Sequence, residues 1–178
     1  TVVDLGAASH PFGIASPAFQ ALRLEEYGLQ WRNAPYEMAH PFEEGEAGLL
    51  TNSLAETAEL LDADAPAWVR LHSPFVEHIN EHLDNLLRPV LGWPPHPERM
   101  AQFGPPALMS ASLLGKVNFS TEKARALLAG SAVHAINSPR RAFTGAFGIL
   151  FGSLGMSQGW PVAEGGTQKI VDALVAII

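Results

Sequence analysis

The chain has no cysteine, little positive charge and no signal-peptide pattern, and each absence excludes a class of protein. Without cysteine, its 178 residues form no disulfide, supply no thiolate nucleophile and hold no zinc through sulfur. The 11 Lys and Arg residues against 18 Asp and Glu residues give a formal charge of −7, and the basic residues are scattered. Nucleic acid is therefore excluded as a partner. The missing secretory pattern says little about the parent protein, because Thr1 in place of Met suggests that the chain has been trimmed, and we expect a cytoplasmic protein.

Charge is absent altogether from residues 142–163, between Arg141 and Glu164. This stretch is long enough to span a bilayer, so a membrane helix has to be considered. Five glycines, several hydroxyl and amide side chains and Pro161 interrupt its apolar character. The sequence therefore favours a buried helix over a membrane span.

Glycines at positions 145, 148, 152, 155 and 159 form one stripe on this predicted helix, because their spacings alternate between three and four. Such a stripe allows another backbone, or a flat ligand, to approach closely. Each glycine costs a helix roughly 0.8–1 kcal/mol relative to alanine, so helix propensity does not explain the stripe. We expect close packing there.

The strand patterns lie in the first third of the chain. Residues 29–33, 36–42 and 47–51 are typical of strands, and Glu44 with Gly45 suits a hairpin turn, which together predict a small antiparallel sheet. Residues 2–5 form a further short β-prone run.

Helices are predicted for most of the remaining chain. Ser16 before Pro17 begins a short helix that ends by Gly28, and Ser53 with Glu56 fits a capping box. Further helices are predicted at 65–88, where Pro74 either kinks the helix or restarts it behind Ser73, at 107–114, and at 120–137 with Ser120 as the N-cap. Residues 91–106 are predicted to be an irregular connector. The fold class is therefore α+β and mostly helical, with a small antiparallel sheet near the N-terminus and a bundle of helices. We expect one domain over 1–178, strand-rich in 1–52 and helical in 53–178.

Two histidine patterns have to be weighed as sites. His78, Glu81 and His82 match H-x-x-E-H, in which two histidines on one helix face hold zinc beside a glutamate. Five residues match by chance easily, and the polar flank of an amphipathic helix explains them without a metal, so we expect none. His134 lies in an apolar helical run, which favours a buried, hydrogen-bonded histidine.

The run HAINSPRRAFTGAFGILFGSLGMSQGWPVAEGGTQKIVDALVAII at the end of the chain resembles the central part of FAD-dependent oxidoreductases of the phytoene-desaturase-like group, which are related to the amine oxidases. In that group a His-containing helix, a Gly-rich helix, Gly-Trp-Pro, a Gly-Gly pair and a helix follow in this order. The segment ASHPFGIASPAF near the start is also similar to one that follows the first flavin-binding region there. The resemblance is strongest over residues 127–176.

A whole member of that group would also contain G-x-G-x-x-G near its start and a second glycine-rich flavin segment near its end, and this sequence has neither. The resemblance therefore implies a fragment of a two-domain flavoprotein whose flavin-binding domain is absent from this chain. Its implied activity is dehydrogenation or isomerisation of an apolar substrate with hydride passing to FAD. By the resemblance, Gly165 and Gly166 approach the cofactor, while His10, Trp160 and Pro161 belong to the substrate side. No residue is assigned as an essential base.

The chain alone is expected to be inactive, with no bound FAD, and its partners are expected to be an apolar substrate and the missing flavin-binding domain. Association with a membrane surface and self-association are left open. The alternative is a non-catalytic helical module that binds a hydrophobic ligand or a partner protein through the glycine-striped helix.

Overall fold

Helices make up most of the computed structural model, which describes residues 3–43, 45–89 and 92–178. The chain is 58% helical, and this confirms the predicted mostly helical α+β class. The α-helices are α1 (Pro11–Ala15), α2 (Pro17–Leu22), α3 (Leu54–Glu59), α4 (Ala65–Val76), α5 (Ile79–Leu86), α6 (Pro97–Leu108), α7 (Ala111–Asn118), α8 (Glu122–Ala132), α9 (Thr144–Ser157) and α10 (Gln168–Ala176). Short 3-10 turns occupy Leu24–Tyr27, Asp62–Asp64 and Val133–Ala135.

Among the residues that the structure describes, four short strands form two antiparallel pairs. Strands β2 (Met38–Pro41) and β3 (Ala47–Leu50) make the predicted hairpin near the N-terminus, with Met38 opposite Leu50. Strand β1 (Trp31–Arg32) does not join them as predicted but pairs with β4 (Val162–Ala163) near the other end of the sequence. The predicted turn involves Glu44, and the β-prone run of residues 2–5 begins at Val2; both residues lie outside the described ranges.

The glycine-striped helix α9 lies at the centre of the molecule. Gly145, Gly148, Gly152 and Gly155 are buried, and a methyl group added at Gly148 would lie 3.0 Å from the carbonyl oxygen of Leu128 on α8. The neighbours of this face are therefore protein, not a ligand. Gly159 is not part of the stripe, because α9 ends at Ser157 and Gly159 turns the chain with a φ of +83°.

The main hydrophobic core surrounds this face of α9. Its fully buried side chains come from β3 and from helices α4, α8 and α9, together with the turn before α4; they include Leu50, Leu61, Trp68, Leu127, Leu128 and Ile149. Trp68 and Phe75 on α4 are buried, as are Ile79 and Leu83 on α5. Within the described ranges, no helix combines the length and apolar character that crossing a bilayer requires.

The predicted helix starts at Ser16 and Ser53 are confirmed by their side chains. The Ser16 hydroxyl accepts a hydrogen bond from the amide of Phe19 at 3.4 Å, and that of Ser53 accepts one from Glu56 at 3.3 Å. The cap of α8 is Thr121, not Ser120 as predicted, and α8 ends at Ala132 rather than near residue 137. Ser120 instead donates its hydroxyl to Asp64 at 2.9 Å.

Helix α6 corrects the prediction of an irregular connector at 91–106, of which Leu91 lies outside the described residues. Pro97 occupies its first turn, where a missing N–H costs nothing, and Phe103 and Ala107 are buried against the core. The helix continues through Pro105 and Pro106, so Ala107 belongs to α6 and α7 begins four residues later. Pro74 likewise lies inside α4, which ends at Val76 rather than breaking behind Ser73.

Candidate functional site

A cavity of about 550 Å³ lies where the beginning of the chain meets α9 and the segment that follows it. Residues 6–13 form one side of it, and His134, Phe151 and Trp160 form the other. We call this space the aromatic cavity. His10 and Trp160, which the resemblance assigned to the substrate side, both line it.

Aromatic rings form most of the inner wall. Phe151 on α9 has Phe12 at 5.4 Å and Trp160 at 5.6 Å between ring centroids, both in edge-to-face geometry. The imidazole of His134 lies 4.6 Å from the Trp160 ring. Such a wall suits an apolar or aromatic ligand, because edge-to-face rings leave flat apolar surfaces facing the space between them.

Trp160 is held in place by two hydrogen bonds. Its indole nitrogen donates to the carbonyl oxygen of Phe151 at 3.3 Å, and its backbone amide donates to Oε2 of Glu37 at 2.6 Å. Burial raises the pKa of Glu37, and the hydrogen bond from Trp160 partly opposes this rise. Oε1 of Glu37 is buried with no hydrogen-bond partner among the described residues. Glu37 thus fixes the position of the Trp160 backbone from a separate part of the chain.

Pro161 and His10 connect the cavity to the start of α10. Pro161 is fully buried, and its carbonyl oxygen accepts a hydrogen bond from the His10 amide at 2.8 Å. The Nε2 atom of His10 lies 3.3 Å from the hydroxyl oxygen of Thr167, directly before α10. Pro161 therefore shapes the turn, whereas the imidazole of His10 lies between the cavity and the helix.

Gly165 and Gly166 form the turn between β4 and α10. Both have positive φ angles, +82° and +99°, which glycine adopts far more easily than other residues. The amide of Gly166 donates to Ala163 at 3.0 Å, and the amide of Thr167 donates to the carboxylate of Asp4 at 3.0 Å. The two glycines are not among the residues that line the aromatic cavity. They lie beside it, next to the Thr167 that contacts His10.

His134 does not lie in the core as predicted. It is exposed on the 3-10 turn that follows α8, at the rim of the cavity, because α8 ends at Ala132. Partial burial lowers its pKa. An imidazole in this position is neutral at pH 7 and adds to the aromatic wall.

Phe12 and Phe151 are cavity residues that the sequence analysis did not select. For Phe151 a signal was present, since Phe143, Phe147 and Phe151 recur every four residues on the side of α9 away from the glycines. For Phe12 no local pattern marked the residue, because α1 is only five residues long.

The H-x-x-E-H residues do not assemble a zinc site. His82 is buried, and its Nε2 atom faces the carbonyl oxygen of Pro74 at 3.3 Å. The Arg99 side chain donates to Glu81 at 2.6 Å and lies 3.0 Å from Nδ1 of His78. A guanidinium therefore takes the place between His78 and Glu81 where a cation would bind. Glu81 also has possible ligand atoms of His96 and Glu98 within 4.8 Å, but the same Arg99 already compensates its charge.

No protein-family model, curated protein or solved structure matches this chain. The likeness to the phytoene-desaturase-like group therefore rests on the residues quoted above.

The described residues suit part of a flavin only. An apolar wall beside a Gly-Gly turn fits a flat ring system, since glycine allows the backbone to approach closely. The Thr167 amide at the start of α10 is already bonded to Asp4, so this donor is not free to bind a pyrophosphate. Holding a pyrophosphate would take donors other than this amide.

Proposed function

We propose that this chain is the substrate-binding portion of an FAD-dependent oxidoreductase that acts on an apolar substrate, with the aromatic cavity as the substrate pocket. The observation that carries the proposal is the meeting of His10 and Trp160 at one cavity from opposite ends of the sequence. The resemblance had assigned these residues to the substrate side without any knowledge of their distance. Pro161 supports them both, through the His10 amide and the chain next to Trp160.

In this function the chain binds and orients the substrate and keeps water out. Phe12, Phe151 and Trp160 offer flat apolar surfaces, and the fixed backbone of Trp160 limits how the ligand can lie. The flavin, when bound by the remainder of the protein, supplies the hydride acceptor. His10 contacts Thr167 and is assigned a positioning role, not that of a base.

Flavin content and substrate binding separate the two parts of this proposal. The 178-residue chain should bind an apolar fluorescent probe at the cavity but purify without FAD, whereas the complete gene product should contain FAD and reduce it when substrate is added. Trp160→Ala should weaken probe binding to the chain by about tenfold through loss of a buried aromatic contact. The proposal would be contradicted if the purified chain contained stoichiometric FAD, or if Trp160→Ala left probe binding unchanged.

Gly166→Ala in the complete protein tests the proposed cofactor contact. At a φ of +99° an added methyl group strains the turn, so some loss of stability is expected in any case. If the glycine also serves the cofactor, flavin occupancy should fall further than the apoprotein Tm predicts. Equal losses in apoprotein stability and in flavin binding would leave only the turn.

A non-catalytic module that binds a ligand through the glycine-striped helix has less support. Gly145, Gly148, Gly152 and Gly155 are buried against other parts of the chain, so that face has no free surface. The coding sequence on both sides of this chain distinguishes the two functions. A neighbouring G-x-G-x-x-G after a strand supports the flavoprotein, and its absence supports the module.

A further inference from the structure

A row of three phenylalanines leads along α9 from the molecular surface to the aromatic cavity. Phe143, at the helix start, is 62% exposed, Phe147 is 40% exposed, and Phe151 is partly buried in the cavity wall. The rings of Phe147 and Phe151 stack with 6.3 Å between centroids and an interplanar angle of 21°. Phe143 lies directly before the helix, and Phe147 lies one turn into it.

The outer end of the row is apolar, exposed and strained. Phe143 has a φ of +69°, and Ile136, seven residues earlier in the sequence and 97% exposed, has a φ of +53°. The left-handed region costs a residue with a Cβ roughly 1–2 kcal/mol, and a β-branched residue there is a true outlier. Neither residue offsets this cost by burial in the described part of the chain. Strained positions of this kind concentrate where a protein contacts a ligand.

Two arginines stand beside this outer end. Arg140 and Arg141 are exposed, and neither side chain forms an ion pair with a carboxylate of the described residues. The first amide groups of α9 are already used, since Gly145 donates to Met109 at 3.0 Å, so the arginine side chains are the free donors here.

We infer, building on the proposed function, that the aromatic row is the access path to the cavity and that Arg140 and Arg141 bind an anionic end of the ligand. The ligand is then an amphipathic molecule whose extended apolar part lies along Phe147 and Phe151 while a carboxylate or phosphate stays at the surface. Arginine suits both groups through paired N–H donors. A membrane surface fits less well, because two arginines contribute only about 1 kcal/mol each against the repulsion of a strongly acidic chain.

Two probes with the same chain and different ends test this inference on the whole 178-residue chain. Oleate carries the anionic end and oleyl alcohol does not. In the double variant R140Q/R141Q, the affinity for oleate should fall about tenfold or more, and the affinity for oleyl alcohol should stay within twofold. The control R70Q/K116Q removes the same charge at two exposed residues elsewhere and should leave both affinities unchanged.

Phe147→Ala tests the path itself and should weaken both probes severalfold. An unchanged ratio of oleate to oleyl alcohol affinity in R140Q/R141Q overturns the inference while the apolar pocket stands. An equal loss in the control also overturns it, because net charge alone then explains the effect. If neither probe binds the unmodified chain, the proposed pocket fails as well. If the chain sediments with anionic vesicles only when both arginines are present, and does not bind oleate, the arginines bind a membrane surface. This result would overturn the inference.

Discussion

The two faces of α9 differ in the size of their side chains and in what they contact. The glycine face has no side chains and lets α8, the end of α6 and His72 of α4 approach the helix backbone. The phenylalanine face carries large rings, and the outer ring, that of Phe147, is 40% exposed. Stability should therefore depend on the first face, and ligand binding on the second. Substitutions on each face can break or sharpen this division.

The largest effect is expected at Gly145. An added methyl group would lie 2.9 Å from the carbonyl oxygen of Met109 and closer still to that of Pro106, and backbone atoms cannot rotate away. We expect Gly145→Ala to lower the free energy of unfolding by roughly 3 kcal/mol, at the upper end for overpacking. Gly115 in α7 is the matched control, since a methyl group there would have its nearest neighbour at 3.7 Å, an ordinary contact distance, and Ala should stabilise by up to about 1 kcal/mol. Urea denaturation of both variants measures the contrast, and equal effects would contradict it.

The next effect concerns Asp64, which holds the start of α8 against the glycine face. Its carboxylate accepts hydrogen bonds from the amides and hydroxyls of Ser120 and Thr121, at 2.6–3.1 Å. Burial alone would raise the pKa of Asp64, but these hydrogen bonds outweigh it and lower the pKa from 3.8 to about 2. Asp64→Asn should cost about 2–3 kcal/mol, because charge-assisted bonds are lost and the amide group cannot accept as many donors.

Asp64 also gives this contact a defined pH dependence. The unfolded carboxylate takes up a proton below about pH 4 and the folded one only near pH 2. The stabilisation is therefore present above pH 4 and lost as the pH falls from 4 to 2. The Asn variant should lack this part of the acid transition in a denaturation series; an identical acid profile would show that Asp64 has no such role.

His72 tests the glycine face from the side of α4. It is fully buried, and neither ring nitrogen has a hydrogen-bond partner among the described residues. Burial lowers its pKa from 6.5 to about 3. Because the unfolded imidazole binds a proton below pH 6.5 and the folded one does not, stability falls as the pH drops below 6.5, by up to about 1.4 kcal/mol per pH unit. Between pH 7 and pH 5, the free energy of unfolding of His72→Leu should fall by about 2 kcal/mol less than that of the unmodified chain. A pH dependence equal to that of the unmodified chain would mean that water reaches the ring.

The smallest change in stability is expected on the other face. Phe147→Ala removes a partly exposed ring and should alter the free energy of unfolding by less than about 1 kcal/mol. Binding of an apolar probe should nevertheless weaken, because the ring stacks on Phe151 of the cavity. A large loss of stability with unchanged probe binding would reverse the roles of the two faces.

The sequence predicted the glycine face and several helix starts because these depend on local patterns. Ser16 and Ser53 were recognised as N-caps from their own neighbours, and the glycine spacing indicated one helix face. The sequence analysis missed helix α6 because the contacts that stabilise it involve residues outside the helix. The side chain of Asn85 bonds both the amide and the carbonyl oxygen of His96 before the helix, at 3.1 and 2.7 Å, and burial of Phe103 favours helix despite the prolines.

The candidate site shows the same limit. His10, Trp160 and Pro161 were selected only through resemblance, because no spacing in the sequence shows that they meet. Strand β1 was placed in the wrong sheet for a related reason, since its partner β4 follows more than a hundred residues later. Ser120 was assigned to a cap that Thr121 makes, because its own hydroxyl bonds to Asp64 far away in the sequence. Long-range pairing was the common obstacle.

The pairing of β1 with β4 has a consequence for the order in which the protein is made. Trp31 lies opposite Ala163, and Asp4 and His10 bind Thr167, so both contacts require the last part of the chain. On the ribosome the N-terminal segment emerges before β4 and Thr167, with which it pairs, have been synthesised. Helices α3 and α4 are adjacent in the sequence and can pack on each other early. A nascent chain that stops before β4 already contains every residue that lines the aromatic cavity, but it lacks the pairing of β1 with β4 and the Thr167 contacts that hold the N-terminal segment in place.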